Sequence, residues 1–513
     1  MNKSPKEIPF ADAEAFFDRI RKAGRSIVQC HGTFDLLHPG HVAHLEAAKE
    51  KGDVLVVTFT DEQWVNKGPG RPYFNNRLRS RSLCALQCVD YVVAIPFPAA
   101  TEAITAVKPH IYCKGSEYAS PEADVTGKFK EDVETTERYG GRVEFVGETL
   151  FSSTNLINKN FKVVADDIRE FCLAIASSWS PADFRAIIDS FSRLKVLVVG
   201  DVIIDRYTTV EVQGMTSKDR ILSGRFLSEE DQMGGALAIY RHLKQFAGRV
   251  DICSIVGREE WASRLIGEVV PPESDLMVRS DRCTIIKQRF VEAVKPGKEI
   301  SKLFATNYIE RELPDAAVVA SLIKTLEEKI GGYDVVLAAD FGHGTCADAV
   351  RELVQNKAAF LAVNCQTNSN NHGFNIIDRR WRRANAFSLD RTELALAVGR
   401  QKFDITAELE RLKSGLGAEY AWITRGEVET IGLKTAAAPC RCVPLEVNVI
   451  DTIGAGDAFY ALASLAAASA VPLPMATFIA QLAGAQAVLT VGNREAVLKE
   501  RLLRSGMSLL AVQ

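Results

Sequence analysis

The chain has 513 residues, of which 47% are hydrophobic and 25% are charged, and its formal net charge is −3. This length exceeds what one hydrophobic core can organise, so at least two domains are expected. The ordinary composition excludes a disordered or fibrous protein. The small net charge gives no general attraction to nucleic acid or to an anionic membrane.

The cysteines also narrow the class of protein. Eleven are scattered along the chain, and no pair of CxxC motifs is present. This pattern argues against a structural zinc site and against a disulfide framework. We therefore expect that the thiols are buried and reduced, and that no residues bind a metal ion. The N-terminal residues are charged and lack the apolar core of a signal peptide. Together these features predict a cytoplasmic protein.

Strands and helices alternate in the first part of the chain. A short apolar run at 25–29 precedes the loop HGTFDLLHPGH and a helical segment that ends at Gly52. The continuous apolar run VLVVTFTD is typical of a buried parallel strand, and further strands are expected at 91–95, 111–114 and 142–146. The pattern predicts a βαβ unit with a right-handed crossover.

The loop after the first strand concentrates histidines: four of the eight in the chain are His31, His38, His41 and His44. His38 and His41 are three residues apart and flank Pro39, which suits the first turn of a helix, so both imidazoles are expected on one face. A helix N-terminus favours anions, and imidazole donors there can stabilise a phosphate that gains charge during nucleotidyl transfer. Metal binding or simple helix capping is the alternative, although a catalytic zinc usually needs a third protein ligand. His44 is expected only to pack.

The stretch from His38 to His41 matches the HxGH signature of the cytidylyltransferases, and KGPGRP, IYCKGSEY and FSSTNLI follow in that family's order. The first part therefore resembles this nucleotidyltransferase superfamily, which implies a Rossmann-like domain over 1–159. The catalytic residues so implied are His38, His41 and Lys114. The nucleotide-binding residues so implied are Thr33, Phe34, Lys67, Arg71, Ser153 and Thr154. Relatives that act on heptose often carry asparagine at the position of His31, which makes it a clue to specificity.

Residues 160–192 predict two helices split at SSWSPAD, where Ser180 before Pro181 is a good helix start, and hence a helical connector. The second half begins with KVLVVGDVIID, which predicts one buried strand. The strand candidates VDICSIVG, YDVVLAADFG, AAFLAVN and YAWITRG follow it. The apolar stretch FYALASLAAASAVPLPMATFIAQLAG is broken by prolines and predicts two buried helices, not a membrane span. A second α/β sheet is expected over 193–513, with ligands at the carboxyl ends of its strands.

The sequence VIDTIGAGDAFYA is the second motif, after the histidine loop, that predicts a functional site. Gly454, Ala455 and Gly456 let consecutive N–H groups form an anion hole at the start of a helix, and Asp457 beside them can accept a proton from a hydroxyl. An anion hole and a base make a minimal phosphoryl-transfer site, with Mg²⁺ expected on the nucleotide. A left-handed turn with an ordinary helix N-cap is the alternative.

The same motif resembles the DTxGAGD signature of the ribokinase-like sugar kinases of the PfkB family, and further segments match in order. The resemblance implies a three-layer α/β fold over 193–513 with Asp457 as the catalytic base. It implies sugar-binding residues Asp205, Gly234 and Gly235 and nucleotide-binding residues Thr424 and Gly426. The positions that depart from the family's pattern are Ala238, Asn364, Asp390 and Glu429.

The pair of domains resembles the bifunctional heptose kinase/nucleotidylyltransferases, with the domain order reversed. The resemblance implies ATP-dependent phosphorylation of a sugar or sugar phosphate, and nucleotidyl transfer from an NTP to a sugar 1-phosphate with release of pyrophosphate. It also implies Mg²⁺ with ATP or another NTP, and a homodimer through a β lid. The alternative is a single-activity nucleotidylyltransferase whose kinase-like domain is a degenerate binding or regulatory module, and the departures favour it.

Overall fold

The computed structural model describes residues 4–65, 72–115, 128–146, 166–292, 300–367, 371 and 373–511. The chain divides into two compact units, Met1–Arg169 with Ala511–Gln513, and Glu170–Leu510. The division falls inside the first connector helix, so most of the predicted connector groups with the second unit. The sequence-based boundaries after residues 159 and 192 remain predictions.

The first unit is built on one parallel sheet with the strand order β3-β2-β1-β4-β5. The strands are β1 (Ile27–Gly32), β2 (Val54–Thr60), β3 (Tyr91–Ile95), β4 (Ile111–Gly115) and β5 (Arg142–Val146). The helices are α1 (Phe10–Lys22), α2 (Pro39–Lys49), α3 (Asn76–Cys84), α4 (Ala100–Val107) and α5 (Lys128–Arg138). The strand order reverses direction between β1 and β4, and a crevice is expected where their carboxyl ends diverge.

Strand β2 is buried on both faces, which explains its continuous rather than alternating apolar run. Leu55 packs in one core cluster with Leu45 of α2, while Val54 and Val56 pack in another with Phe17 of α1. The prediction of a buried parallel strand is confirmed.

The second unit contains a main sheet with the order β19-β18-β17-β16-β15-β14-β6-β9, in which β18 runs antiparallel to both of its neighbours and the other pairs are parallel. A second sheet with the order β13-β12-β7-β8, here named the lid sheet, belongs to the same unit. The strands are β6 (Lys195–Gly200), β7 (Val202–Met215), β8 (Leu222–Gly235), β9 (Arg249–Cys253), β10 (Ile255–Val256), β11 (Val278–Arg279), β12 (Ile285–Glu292), β13 (Lys302–Tyr308), β14 (Val335–Asp340), β15 (Leu361–Cys365), β16 (Ala386–Asp390), β17 (Tyr420–Thr424), β18 (Thr430–Lys434) and β19 (Cys440–Cys442). The helices are α6 (Asp166–Ala176), α7 (Pro181–Ser190), α8 (Ala236–Lys244), α9 (Glu260–Gly267), α10 (Ala316–Lys329), α11 (Asp348–Lys357), α12 (Ile377–Arg380), α13 (Arg391–Val398), α14 (Ile405–Gly415), α15 (Ala455–Ala468), α16 (Leu473–Ala487) and α17 (Lys499–Leu510).

The predicted strand KVLVVGDVIID is in fact two strands, because the chain passes from the main sheet to the lid sheet at Asp201. The buried Asp201 carboxylate accepts hydrogen bonds from the backbone N–H groups of Phe341, His343 and Thr345 at 3.1, 3.0 and 2.9 Å. These bonds anchor the crossing to the loop after β14. The apolar pattern continues through the break because both strands are buried there, so periodicity alone could not locate it.

The two predicted connector helices are present as α6 and α7. Ser180 caps α7 in a reciprocal capping box with Asp183. The alanine-rich stretch forms the almost wholly buried helices α15 and α16, as predicted. Within the described parts of the chain, no helix is both long and apolar enough to cross a membrane.

The cysteines are all free, and most of them are buried. Cys283 is exposed, while Cys84 and Cys88 are only partly buried. The expectation of buried thiols is therefore wrong for these three side chains, which lie near the surface of their units.

Candidate active sites

In the first unit, the predicted histidine pair lies at the start of α2. The ring centroids of His38 and His41 are 3.9 Å apart. His38 is the N-cap, and its Nδ1 accepts a hydrogen bond from the N–H of Gly40 at 3.1 Å. Its buried Nε2 has no hydrogen-bond partner among the described residues. Burial lowers the pKa of His38 from 6.5, so the ring is neutral at pH 7.

The protonation of His38 follows from this geometry. A neutral imidazole carries one N–H, and a ring nitrogen that accepts a hydrogen bond cannot carry it. Since Nδ1 of His38 accepts from Gly40, the proton resides on Nε2. The capping alternative is thus correct for one nitrogen, while the other remains a donor for a ligand.

Lys114 and His31 end the neighbouring strands β4 and β1. The Lys114 Nζ is 3.3 Å from the carboxylate of Asp132 in α5. The His31 ring nitrogens lie 3.0 Å from the hydroxyl of Thr58 and 3.3 Å from that of Thr60. Burial, with a smaller contribution from Lys114, lowers the pKa of His31 to about 3. His31 is therefore a neutral side chain held by its neighbours in the sheet.

Two residues that the sequence did not suggest hold the histidine loop in place. Arg79 is buried in α3 and donates to the carbonyl of Thr33 at 2.8 Å. The buried Asp35 carboxylate accepts from the N–H groups of Tyr73 and Phe74 at 2.9 Å each. For Arg79, the only sequence signal was an arginine within the pattern of a short helix, and its partner Thr33 is 46 residues away.

The remaining predicted residues of this unit are placed as follows. Phe34 is buried with φ of 46°, and its ring centroid is 5.4 Å from that of His41. A His44 ring nitrogen lies 3.1 Å from the carbonyl oxygen of Val146 in β5, which fits the expected packing role. The predicted residues that lie outside the described part of the chain are Lys67, Arg71, Ser153 and Thr154.

In the second unit, a cavity of about 280 Å³ lies between the lid sheet and the carboxyl ends of the main-sheet strands. The predicted residues that line it are Asp205, Gly235, Thr424, Gly454, Gly456 and Asp457. Lining residues that the sequence did not single out as site residues are Lys287, Arg289, Gln366, Glu393 and Asn493. Across all described residues, no group of three or more His, Cys, Asp or Glu side chains is positioned to hold a metal ion.

The glycine loop opens α15 at one wall of this cavity. Gly454 is the N-cap with φ of 84°, and a Cβ there would lie 2.1 Å from Oδ1 of Asn493. The position therefore requires glycine. The first N–H groups of a helix have no intrahelical partners, so this turn presents donors where the cavity meets Gly456 and Asp457.

Asp457 has the environment of a base. It is buried, and Nε2 of Gln366 donates to its Oδ1 at 2.9 Å. Burial, followed by the charge of Asp205, raises the pKa of Asp457 to about 7. A carboxylate with such a pKa can take a proton at neutral pH more effectively than an exposed aspartate.

Asp205 occupies the opposite wall. Arg289 forms an ion pair with its Oδ1, and Nδ2 of Asn493 donates to its Oδ2 at 3.1 Å. A Cβ on Gly234 would lie 2.2 Å from the same carboxylate, and Gly235 has φ of 56°. Gly234 therefore leaves the space that Asp205 needs, whereas a Cβ on Gly235 would lie 2.6 Å from the carbonyl oxygen of Asp201.

Asp451, at the start of the glycine motif, connects the lid sheet to the glycine loop. It is completely buried and lies 2.6 Å from Nζ of Lys302. It also accepts from the Tyr207 hydroxyl at 3.1 Å and from the N–H groups of Ile453 and Gly492 at 3.2 and 3.0 Å. Two side chains of the lid sheet thus converge on a carboxylate that fixes the loop.

The four departures from the family pattern have defined places. Asp390 caps α13 reciprocally with Glu393, whose pKa burial raises to about 8. Asn364 lies at the cavity, Glu429 pairs with two arginines, and Ala238 is buried in α8. Thr424 ends β17 at the cavity, and Gly426 has φ of 54° in the turn that follows.

Comparison with known families agrees with this geometry. Residues 193–500 match the pfkB family of carbohydrate kinases, which is more than half of the chain. The chain belongs to this family. Residues 30–195 match the cytidylyltransferase-like family. The predicted pairing of a cytidylyltransferase-like domain with a PfkB domain, and the two α/β folds, are confirmed.

Two similar curated proteins each match part of this chain. It is 40% identical over 153 residues to the bifunctional protein HldE of Trichlorobacter lovleyi and 41% identical over 160 residues to that of Pelobacter propionicus. The matches cover 29% and 30% of this chain and 29% and 31% of the relatives, so the chain spans under a third of their length. Among solved structures, phosphofructokinase-2 from Escherichia coli in complex with fructose-6-phosphate gives a TM-score of 0.48 at 13% identity. That match covers 62% of this chain and 99% of the other.

Proposed function

We propose that the chain is a bifunctional enzyme of nucleotide-activated sugar synthesis. The second unit phosphorylates a sugar or sugar phosphate with ATP, and the first transfers a nucleotidyl group from an NTP to a sugar 1-phosphate with release of pyrophosphate. The observation that carries the proposal is the shared cavity of Asp457, the glycine loop and Asp205. The relatives named bifunctional protein HldE support two activities in one chain. The resemblance of the domain pair to the heptose kinase/nucleotidylyltransferases supports a heptose-type sugar.

In the kinase reaction, the acceptor sugar lies between Asp205 and Asp457. The hydroxyl oxygen of the sugar bonds to the γ-phosphorus of ATP, and the bond between that phosphorus and ADP breaks. Asp457 accepts the proton that this hydroxyl loses. The N–H groups of the anion hole, Gly454, Ala455 and Gly456, stabilise the charge on the transferring group. Thr424 and Gly426 lie on the nucleotide side.

In the transferase reaction, an oxygen of the sugar 1-phosphate attacks the α-phosphorus of the NTP, and pyrophosphate leaves. The Nε2–H of His38 and the ring of His41 donate to the phosphate oxygens as charge develops. Lys114 adds a positive charge at the end of β4. Thr33 and Phe34 line the nucleotide, and the same role is proposed for the residues outside the described part, Lys67, Arg71, Ser153 and Thr154.

Mg²⁺ fits the kinase cavity as a companion of the nucleotide. This ion usually binds one or two carboxylates together with substrate phosphates. Asp390 supplies a carboxylate at the cavity, and Glu393 supplies a carboxyl group whose proton the ion would displace, since its pKa is raised to about 8. Asn364 has a buried Oδ1 without a partner among the described residues. These residues would hold the ion, which when bound offsets phosphate charge.

We also propose a homodimer through the lid sheet. Strands β8 and β13 expose large apolar side chains, including Phe226 at 62% and Phe304 at 55% exposure. Exposed apolar surface of this kind marks interaction sites, and a second copy related by a two-fold axis would cover it. Phe226→Asp is expected to convert the dimer to a monomer in light scattering, whereas a wild-type monomer contradicts the proposal.

The activities are tested with a panel of NTPs and heptose, heptose phosphate and hexose acceptors, with products identified by mass spectrometry. We expect ADP with a newly phosphorylated sugar, and pyrophosphate with a nucleotide-sugar. Pyrophosphate without ADP for every acceptor would favour the single-activity alternative. If no pair of NTP and acceptor yields either product, both assignments are contradicted.

A further inference from the structure

Lys287 stands out in the kinase cavity because the reaction described above does not use it. It lies on β12 of the lid sheet, in register with Asp205 on β7, and lines the cavity. Its ammonium has no hydrogen bond and no carboxylate partner among the described residues, and it lies 5.7 Å from the centre of the Phe341 ring. The Lys287 side chain is half-buried. An ammonium that is partly withdrawn from water without an ion-pair partner costs free energy, and a bound anion would offset that cost.

The other charged groups of the cavity are already engaged. Arg289 is paired with Asp205, and Asp390 and Glu393 form the capping box of α13. An incoming polyphosphate therefore meets several carboxylic groups and one cation without a carboxylate partner in the described structure. Burial lowers the pKa of Lys287, while the charges of Asp205 and Asp457 oppose that shift.

We propose that Lys287 is a phosphate-binding residue of the kinase cavity, whose ammonium receives a substrate phosphate oxygen. The assignment rests on the proposed kinase function. The phosphate has two possible sources, the γ-phosphoryl group in transfer and a phosphate already carried by the acceptor. Lys287 lines the same cavity as Gly454, Gly456 and Asp457, which favours the group in transfer.

The test compares Lys287→Met and Lys287→Arg in the full chain, with ATP and a matched pair of acceptors, a sugar and its phosphate ester. If Lys287 binds the group in transfer, Lys287→Met lowers kcat about 100-fold for both acceptors. Lys287→Arg restores part of the rate because it keeps the charge. If it binds the acceptor's own phosphate, the loss is confined to the ester and falls mainly on KM.

Lys324→Met, which removes an exposed lysine of α10, is the control for loss of charge alone. Thermal unfolding of each variant separates misfolding from loss of a contact. Unchanged kcat and KM for both acceptors in Lys287→Met, beside an active wild type, overturns the assignment alone. A wild type that phosphorylates no acceptor overturns the kinase proposal and this assignment with it.

Discussion

The two units prepare the same kind of anion site in different ways. Each has a loop that leads from a strand into the first turn of a helix. One loop carries the imidazole rings of His38 and His41, and the other is a glycine loop beside the acidic Asp457. The proposed nucleophiles explain the difference. A sugar phosphate is already an anion and needs no base, whereas a sugar hydroxyl must lose a proton.

Removal of the base tests this difference most strongly. Asp457→Ala is expected to lower kcat for sugar phosphorylation about 10²–10⁴-fold, because the hydroxyl proton loses its acceptor. Pyrophosphate release should be unchanged, and both products are measured on one preparation. Asp281→Ala, at a side chain that is 89% exposed, is the control. Intact ADP formation in Asp457→Ala would contradict the kinase assignment.

The complementary change is in the first unit. His41→Ala is expected to lower kcat for pyrophosphate release about 10²–10³-fold, the usual effect of losing a donor to a developing charge. ADP formation by the kinase unit should persist. The matched control is His44→Ala, one turn further along α2, which contacts Val146 and should keep most of the activity. Equal losses in the two variants would show that the effect is structural.

The two reactions should also differ in the pH dependence of their rates, although by less than in the two variants above. Asp457 must be deprotonated to act, and its pKa is raised to about 7, so the kinase kcat/KM should fall about tenfold per pH unit below that value. The transferase rate should change little from pH 7 upward, because the pKa of His38 is lowered and its ring stays neutral. Initial rates of both reactions across pH decide this. A kinase rate that is flat down to pH 5 would argue against Asp457 as the base.

The smallest effect is expected for the ion pair between Lys302 of the lid sheet and Asp451 before the glycine loop. Lys302→Met removes the cation from Asp451, which keeps its three hydrogen-bond donors. Since Lys302 is partly exposed, we expect a loss of about 2 kcal/mol in the free energy of unfolding of the second unit. Denaturant unfolding measures it, with Lys324→Met as the control. An unchanged midpoint would mean that the ion pair adds nothing to stability.

Local signals in the sequence predicted much of both sites. The spacing of His38 and His41, and the run from Gly454 to Asp457, each lie within one helical turn, so sequence distance and spatial distance agree. Arg79, Gln366 and Asn493 gave no comparable signal. Asn493 reaches Asp205 across 288 residues, a contact that no local pattern encodes.

By itself, the sequence determined the alternation of strands and helices, the two helix N-termini that favour anions, and the residue types placed at them. These follow from periodicity and from backbone geometry within a few residues. Only the tertiary structure decided that the chain changes sheets at Asp201, and that Asp205 and Lys287 come to lie in register. It also decided that Asp457 is buried deeply enough to have its pKa raised to about 7. Burial and long-range strand pairing depend on the whole unit, and for that reason they could not be derived from any single stretch of residues.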